Sequence, residues 1–201
     1  MQNDTPDEST YVERARKGDM GAFGQLVQMY QHRLYNALIR MVGSADDALE
    51  ICQEAFLRAL QAIKKFRGQA GFYTWLYRIG FNLAINHRRK KKTIDFTALR
   101  RETDDDGRQA DGLRHLIDPA ASPPEQTQLR DEHRRALAAL MTLDEDARAI
   151  IILRDIEQFN YAEIAAILEL PAGTVKSRLC RARLALREKL TAQERSSRVN
   201  V

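Results

Sequence analysis

Apolar residues recur at three- and four-residue steps through nearly every ordered stretch of this chain, rather than at the two-residue step of a strand. Phe23, Leu26, Val27, Tyr30, Leu34, Leu38 and Met41 form the clearest run, and on an α-helix they line one face. Asp19 stands where an N-cap belongs and Gly43 where such a helix stops. Ser44 and Asp47 then have the spacing of a capping box, with Asp in place of the usual Glu. The next helix buries Ala48, Cys52, Ala55, Phe56, Ala59, Leu60 and Ile63 and stops at Arg67-Gly68. A third begins near Phe72, presents Phe72, Leu76, Ile79 and Leu83 on one face, and runs into a basic block ending at Lys92. The pattern predicts an all-α protein.

From Thr93 to Pro124 the periodicity dissolves into Asp104-Asp105-Asp106-Gly107, Asp111-Gly112 and Ser122-Pro123-Pro124. Such a length of turn and linker chemistry is unusual inside one compact domain. It divides the chain into two small helical domains, residues 1–92 and 125–190, joined by a flexible linker over 93–124 and followed by a tail, 191–201. Pro123 behind Ser122, with Glu125 three residues on, starts a helix that continues through Leu129, His133, Ala136, Leu137 and Leu140. Another is expected from Asp144 to Gln158. The longest uninterrupted apolar run is the six residues of Ala136–Met141, followed by Ala149–Leu153, and both are far short of a bilayer span. The polar, acidic first residues exclude a secretory signal, and two cysteines suit a reducing compartment. A soluble intracellular protein, cytoplasmic and without membrane insertion, is the expectation.

The net charge is only +4, but it is unevenly placed. Asn86–Lys92 carries five bases and no acid, and Leu170–Leu190 six bases against Glu188 alone. Between them, Asp95–Asp118 has seven acids and four arginines. Two basic blocks flanking an acidic connector point to two surfaces for a polyanion. Either block alone reads equally well as solvated surface charge.

Asn160–Leu190 carries the sharpest signal. Asn160 and Glu163 have capping-box spacing, and a short helix follows with Ile164, Ala165 and Leu168 inward. Leu170-Pro171 breaks it. A second helix starts at Pro171, with Val175, Leu179, Ala182 and Leu186 as its buried stripe. Thr174, Lys176, Ser177, Arg178, Cys180, Arg181 and Arg183 lie off that stripe. A short helix, a tight turn and a basic second helix make the helix-turn-helix that enters a DNA major groove. There arginine bonds guanine bidentately while lysine and backbone amides hold phosphates. The competing reading is an amphipathic hairpin with a solvated basic face; the coincidence of the turn, small Ala165 and the basic block favours DNA.

Other residues carry no chemistry. Gly18, Gly21 and Gly24 are evenly spaced, but no strand precedes them and the spacing is not that of a dinucleotide loop. His32, His87, His115 and His133 share no ligand spacing with Cys52 or Cys180. Neither metal nor cofactor is expected, and no acid pairs with a nucleophile or base. The chain does not read as an enzyme.

Three segments resemble one family. Ser44–Leu60, SADDALEICQEAFLRAL, is similar to the core-binding segment of extracytoplasmic-function (ECF) sigma factors, the small two-domain members of the sigma-70 family. Phe66–Arg89, FRGQAGFYTWLYRIGFNLAINHRR, resembles the segment that engages and opens the minus-ten promoter element. Asn160–Arg187 is similar to the region that reads the minus-thirty-five element. The segments follow the family's order. The resemblance implies a dissociable subunit of bacterial RNA polymerase that selects promoters and helps melt them, with core polymerase and promoter DNA, duplex and single-stranded non-template, as partners. Many members are held inactive by an anti-sigma factor, often membrane-anchored.

Residue by residue, the resemblance implies three surfaces. Asp47, Glu50, Gln53, Glu54 and Arg58 would dock on core polymerase. Phe66, Arg67, Gly68, Gln69 and Ala70, with Thr74, Arg78, Asn82, Asn86, Arg88 and Arg89 along the next helix, would take the opened minus-ten strand. Unstacking a base costs a few kcal/mol, roughly, so the protein must offer it a replacement environment. A glycine-containing loop and a polar stripe at four-residue steps supply one. Tyr73 and Tyr77 lie on another stripe whose role stays open. The C-terminal set from Thr174 to Arg183 would take the minus-thirty-five duplex.

About thirty linker residues at roughly 3.3 Å each reach on the order of 100 Å, enough for two turns of DNA at about 70 Å. Two other readings compete. An ordinary helix-turn-helix regulator would bind duplex DNA without polymerase and would leave Phe66–Arg89 unexplained. A sigma mimic would bind regulators without supporting transcription.

Overall fold

A computed structural model of the protein describes residues 7–98 and 134–199. Helix α1 spans Glu8–Arg16, α2 Met20–Val42, α3 Ala45–Ala62 and α4 Phe72–Ala98. Helix α5 occupies residues 134–141. Helix α6 spans Glu145–Ile151 and runs into a π-turn over Ile152–Ile156; α7 is Tyr161–Leu168 and α8 Ala172–Val199. No strand occurs among the described residues.

The caps explain the boundaries. The Asp19 carboxylate accepts from the Ala22 amide at 3.0 Å and is held below the usual carboxylate range by that bond and by Arg14. Gly43 ends α2 at φ +83°, donating its amide to Ile39 O. Ser44 Oγ accepts from the Asp47 amide at 3.2 Å and opens α3. A 3₁₀ turn at Ile63–Lys65 then leads into the loop before α4. In the C-terminal unit Asp144 caps α6, and Asn160 and Glu163 form a reciprocal capping box on α7.

Helices α2, α3 and α4 form a bundle around Leu34, Leu38, Ala55, Leu76 and Phe81. Each large apolar side chain so buried contributes about 1.5–3 kcal/mol. Gly80 permits the close crossing: a Cβ there would sit 3.1 Å from Leu34 Cδ1. The C-terminal unit packs α6, α7 and α8 around Ile150, Leu153, Ile164, Ile167, Val175 and Leu179.

Three local features differ from the sequence-based expectation. Helix α1 is not signalled by any apolar period; it is short and mostly polar, and only Val12 and Ala15 are buried. Helix α4 continues through Thr93–Ala98, where the connector is expected to begin, because neither Gly nor Pro interrupts that stretch. The helix expected over Asp144–Gln158 is α6 plus the π-turn, ending before Gln158 at φ +63°. The helix start expected at Ser122–Glu125, and the connector beyond Ala98, lie outside the described residues.

The two units share a continuous core. Helix α4 lies along α7 and touches α6, and α2 meets α6 and the π-turn.

Candidate nucleic-acid interfaces

Helix α8 is seated by its inner stripe. Val175, Leu179 and Ala182 are buried and Leu186 is half-buried, so the spacing expected from the sequence holds. Thr174 makes the first turn, its amide and hydroxyl both donating to Pro171 O. Lys176, Ser177, Arg178, Cys180 and Arg181 are exposed. Lys176, Arg178 and Arg181 have no carboxylate partner among the described residues. Arg183 differs from them: its guanidinium bonds both Asp155 carboxylate oxygens, which raises its pKa. It ties α8 to the π-turn, a positioning contact the sequence does not disclose.

The loop before α4 and the stripe along it are arranged less uniformly. Phe66 is only 9% exposed, its ring 4.9 Å from Trp75 and 6.1 Å from Phe72. It is a core residue that anchors the loop, and Arg67, Gly68, Gln69 and Gly71 are the loop's exposed residues. Gly68 has φ +70°, a conformation that favours glycine. A cavity of about 360 Å³ opens here, lined by Arg67, Gln69, Ala70, Thr74, Trp75 and Arg78. Thr74 is buried at its base, whereas Arg78 and Asn82 are half-buried and Asn86 is exposed. Ala166 of α7 contributes to the same wall. Tyr73 and Tyr77 face away from the cavity's polar groups and toward Phe159, at 5.0 Å each.

On α3, Glu50, Gln53 and Arg58 are exposed, and Glu54 bonds Arg58 at 2.6 Å. Asp47 is turned toward α4, 3.2 Å from His87 Nε2 and 3.8 Å from Lys91 Nζ. Leu49 and Leu57, which the sequence reading does not single out, are 50% and 49% exposed on this helix. The signal is present in the pattern: they lie off the buried stripe of an amphipathic helix, where an apolar residue has no core to enter. Cys52 is buried, as expected, and its thiol is pushed up to about 11 by desolvation.

The seam between the units is polar at its ends. Arg148 is fully buried, and its guanidinium donates to Leu140 O, Met41 O, Leu143 O and Met141 O. Its partners are carbonyls at the C-terminal ends of α2 and α5, where a cation is favoured by the helix dipole, and in the turn that follows α5; of the four, Leu140 O also accepts from the Leu143 amide. Burial lowers its pKa to about 10. At the other end Glu157 Oε2 accepts from Tyr77 Oη at 2.9 Å, Arg33 Nε at 3.0 Å and Tyr73 Oη at 3.1 Å. Arg33 also lies 4.6 Å over the Tyr73 ring. Burial opposes the charge on Arg33, but Tyr73 and Glu157 raise its pKa on balance.

The fold and these surfaces define a two-unit, all-helical DNA-binding protein with a C-terminal helix-turn-helix. Residues 26–94 match Sigma-70 region 2 and residues 133–186 match Sigma-70, region 4. The chain is 39% identical over 180 residues to the RNA polymerase sigma-H factor of Pseudomonas aeruginosa, covering 87% of this chain and 89% of that protein. It is 40% identical over 184 residues to the ECF RNA polymerase sigma-E factor of Escherichia coli K12, covering 89% and 92%. Among solved structures it is similar to CnrH in complex with the cytosolic domain of CnrY, with TM-score 0.64, 26% identity, and 92% and 99% of the two chains covered. The sigma factor RpoE in complex with the anti-sigma factor NepR from Bartonella quintana shares the fold at TM-score 0.64 and 24% identity, with 84% and 96% covered. The chain belongs to the ECF sigma factors of the sigma-70 family. It is an RNA polymerase sigma factor that directs core polymerase to promoters, and the lone helix-turn-helix regulator is not favoured. Among the described residues no helix is long and apolar enough to cross a membrane.

Proposed function

We propose that this sigma factor divides its work among three surfaces and acts as a non-catalytic, cytoplasmic subunit of the polymerase. The domain reading is residues 1–92 for core binding and minus-ten opening, 125–190 for minus-thirty-five recognition, and an acidic connector over 93–124. The exposed face of α3, with Glu50, Gln53, Glu54 and Arg58, docks on core polymerase, and the exposed leucines 49 and 57 add apolar area to it. The cavity beside Arg67 and Gln69 receives an unstacked base, and Arg78, Asn82 and Asn86 follow the strand. Helix α8 reads duplex through Arg178 and Arg181, with Lys176 on phosphate. The observation that carries this reading is the row of Lys176, Arg178 and Arg181 on α8, which meets no carboxylate among the described residues and is held outward by the buried Val175, Leu179 and Ala182.

An anti-sigma partner belongs to the same proposal, because of two structurally similar chains one, a sigma factor, is seen with an anti-sigma factor and the other, CnrH, with the cytosolic domain of CnrY. Run-off transcription with purified core polymerase on genomic promoter fragments tests the whole. Specific initiation is expected with the wild type, and Glu50→Lys with Glu54→Lys should abolish core pull-down with an unchanged far-ultraviolet helix signal. Duplex binding without initiation would return the regulator reading, and core binding without initiation the mimic.

A further inference from the structure

Arg183 differs from Lys176, Arg178 and Arg181 in what its side chain meets. Its Nε donates to Asp155 Oδ2 at 3.0 Å and its Nη2 donates to Asp155 Oδ1, so one edge of the guanidinium is filled by a single carboxylate. Two-pronged bonding of this kind is how arginine grips a carboxylate, a phosphate or guanine, and one edge serves one partner at a time. The pair lies at the surface, with the two side chains 52% and 33% exposed. At about 100° per residue, Arg183 stands on the same flank of α8 as Lys176, about two turns away, beside the buried Leu179. Ser177 and Leu184 lie opposite the buried stripe. A free arginine in line with Lys176 would run along the same phosphate backbone.

The carboxylate is aimed by a well-braced turn. Asp155 lies within the π-turn, whose wider ring re-aims the side chains it carries. The backbone is tied on both sides of it: the Glu157 amide donates to Ile152 O at 2.9 Å and the Phe159 amide to Leu153 O at 2.9 Å. Gln158, at φ +63°, donates its Nε2 to Asp155 O at 2.9 Å. Arg154 donates to Phe159 O at 2.9 Å and lies 5.2 Å over the Tyr161 ring of α7. An acid beside a helix that reads DNA offsets the attraction of that helix for phosphate. Non-specific binding is almost wholly such attraction, whereas binding at the element also draws on contacts to bases. On the element, base contacts fix where α8 sits; on other duplex the helix settles wherever its cations find phosphate. Taking one cation out of the phosphate count therefore bears hardest on the wrong sites.

We infer that Asp155 is a specificity-determining residue for the minus-thirty-five duplex and acts through Arg183. It withholds that arginine from phosphate and leaves α8 to bind through Lys176, Arg178 and Arg181. The role presupposes that α8 reads duplex, and the two can fail separately. Freed from Asp155, Arg183 adds one phosphate contact on any duplex, and the preference of α8 for its element narrows.

The test uses holoenzyme reconstituted from core polymerase and the full chain. Its probe is a fluorescein-labelled duplex carrying the upstream half of a promoter found by run-off, beside a second duplex in which the minus-thirty-five element is scrambled. Anisotropy gives affinity at a series of salt concentrations for the wild type, for Asp155→Ala, and for Asp155→Ala combined with Arg183→Ala. Asp155→Ala should steepen the slope of log affinity against log salt by about 0.9 and tighten binding to the scrambled duplex about fivefold at roughly 0.15 M salt. Its gain on the element should be smaller. Asp155→Asn, which keeps the shape of the side chain, should move the slope the same way. The double variant loses one charge of each sign and should return slope and preference to those of the wild type. An unchanged slope in both single variants would overturn the inference. So would a gain that survives the loss of Arg183, since the acid would then act by its own repulsion. A double variant shallower than the wild type would overturn it as well, because Arg183 would already be on phosphate. Weaker binding to the element in every variant, at an unchanged slope, would overturn it in favour of a brace that only seats α8. Undiminished preference for the element in Arg178→Ala, Arg181→Ala holoenzyme would instead remove the duplex-reading role of α8, whatever the other slopes show.

Discussion

Two basic surfaces of similar composition stand in opposite conditions. On α8, Lys176, Arg178 and Arg181 project from a helix whose other side is packed, with no carboxylate partner among the described residues. On α4, Arg88, Arg89 and Lys92 each meet an acid of α6. Charge composition alone does not say whether a basic block is available. What decides it is whether tertiary packing brings a carboxylate within about 4 Å, where an attraction that water would screen becomes worth keeping. In this chain the packing is set by other groups: Arg148 and the close approach at Gly43 beside the α4 block, and Glu157 at the other end of the seam.

The most damaging way to break the contrast is Arg148→Ala. It strips a donor from four carbonyls, of which Leu140 O keeps the Leu143 amide, and with each of the remaining three costing roughly 1 kcal/mol when unmet, a destabilisation of about 3 kcal/mol in urea denaturation is expected. An unchanged midpoint would mean that water satisfies those carbonyls in the variant. On the open surface, Arg178→Ala with Arg181→Ala should cost about 1–3 kcal/mol of base discrimination for each bidentate arginine–guanine pair removed. It should be read as flattened preference among promoter fragments in run-off assays. Lys176→Ala should weaken all fragments alike.

A smaller effect is expected from Gly43→Ala. Its φ of +83° disfavours any side chain, and a Cβ would press on Met141 at the edge of the other unit. A destabilisation of about 1–2 kcal/mol, with longer interunit distance, is expected. The mildest perturbation is acid. Burial opposes the charge on Glu145, but Lys92 and Arg88 from α4 hold its pKa below the usual value on balance, with Arg148 and Asp144 also nearby. Its contribution is therefore present above the ordinary carboxylate pKa and is lost as pH falls through the lowered folded value. Stability should fall more steeply between about pH 5 and about pH 3 in the wild type than in Glu145→Gln. Equal slopes would show that Glu145 is not part of the seam's electrostatics.

Much of the fold is legible in the residues alone. Helices α2, α3, α7 and α8 are readable from caps and spacing because Asp19, Gly43, Ser44, Asn160 and Pro171 act locally, within a turn of where they stand. The buried stripe of α8 is readable for the same reason. Helix α1 is not, since two buried residues among nine leave no period to detect. Phe66 reads with the loop's exposed residues, yet its ring is core, because an aromatic beside a glycine turn carries no sign of which way it faces. The π-turn is invisible, as nothing in Ile152–Ile156 distinguishes it from continued α-helix.

By itself, then, the sequence determined the helical class, the order of the elements, the caps and the exposed basic row of α8. These depend on neighbours three or four residues away. Only the tertiary structure decided that Arg183 is held by Asp155, that Tyr73 and Tyr77 serve a glutamate eighty or more residues distant, and that Arg148 is buried among carbonyls of two units. Those partners are chosen by packing across long separations. A side chain carries its charge wherever it goes, but what neutralises that charge depends on which surfaces the fold presses together.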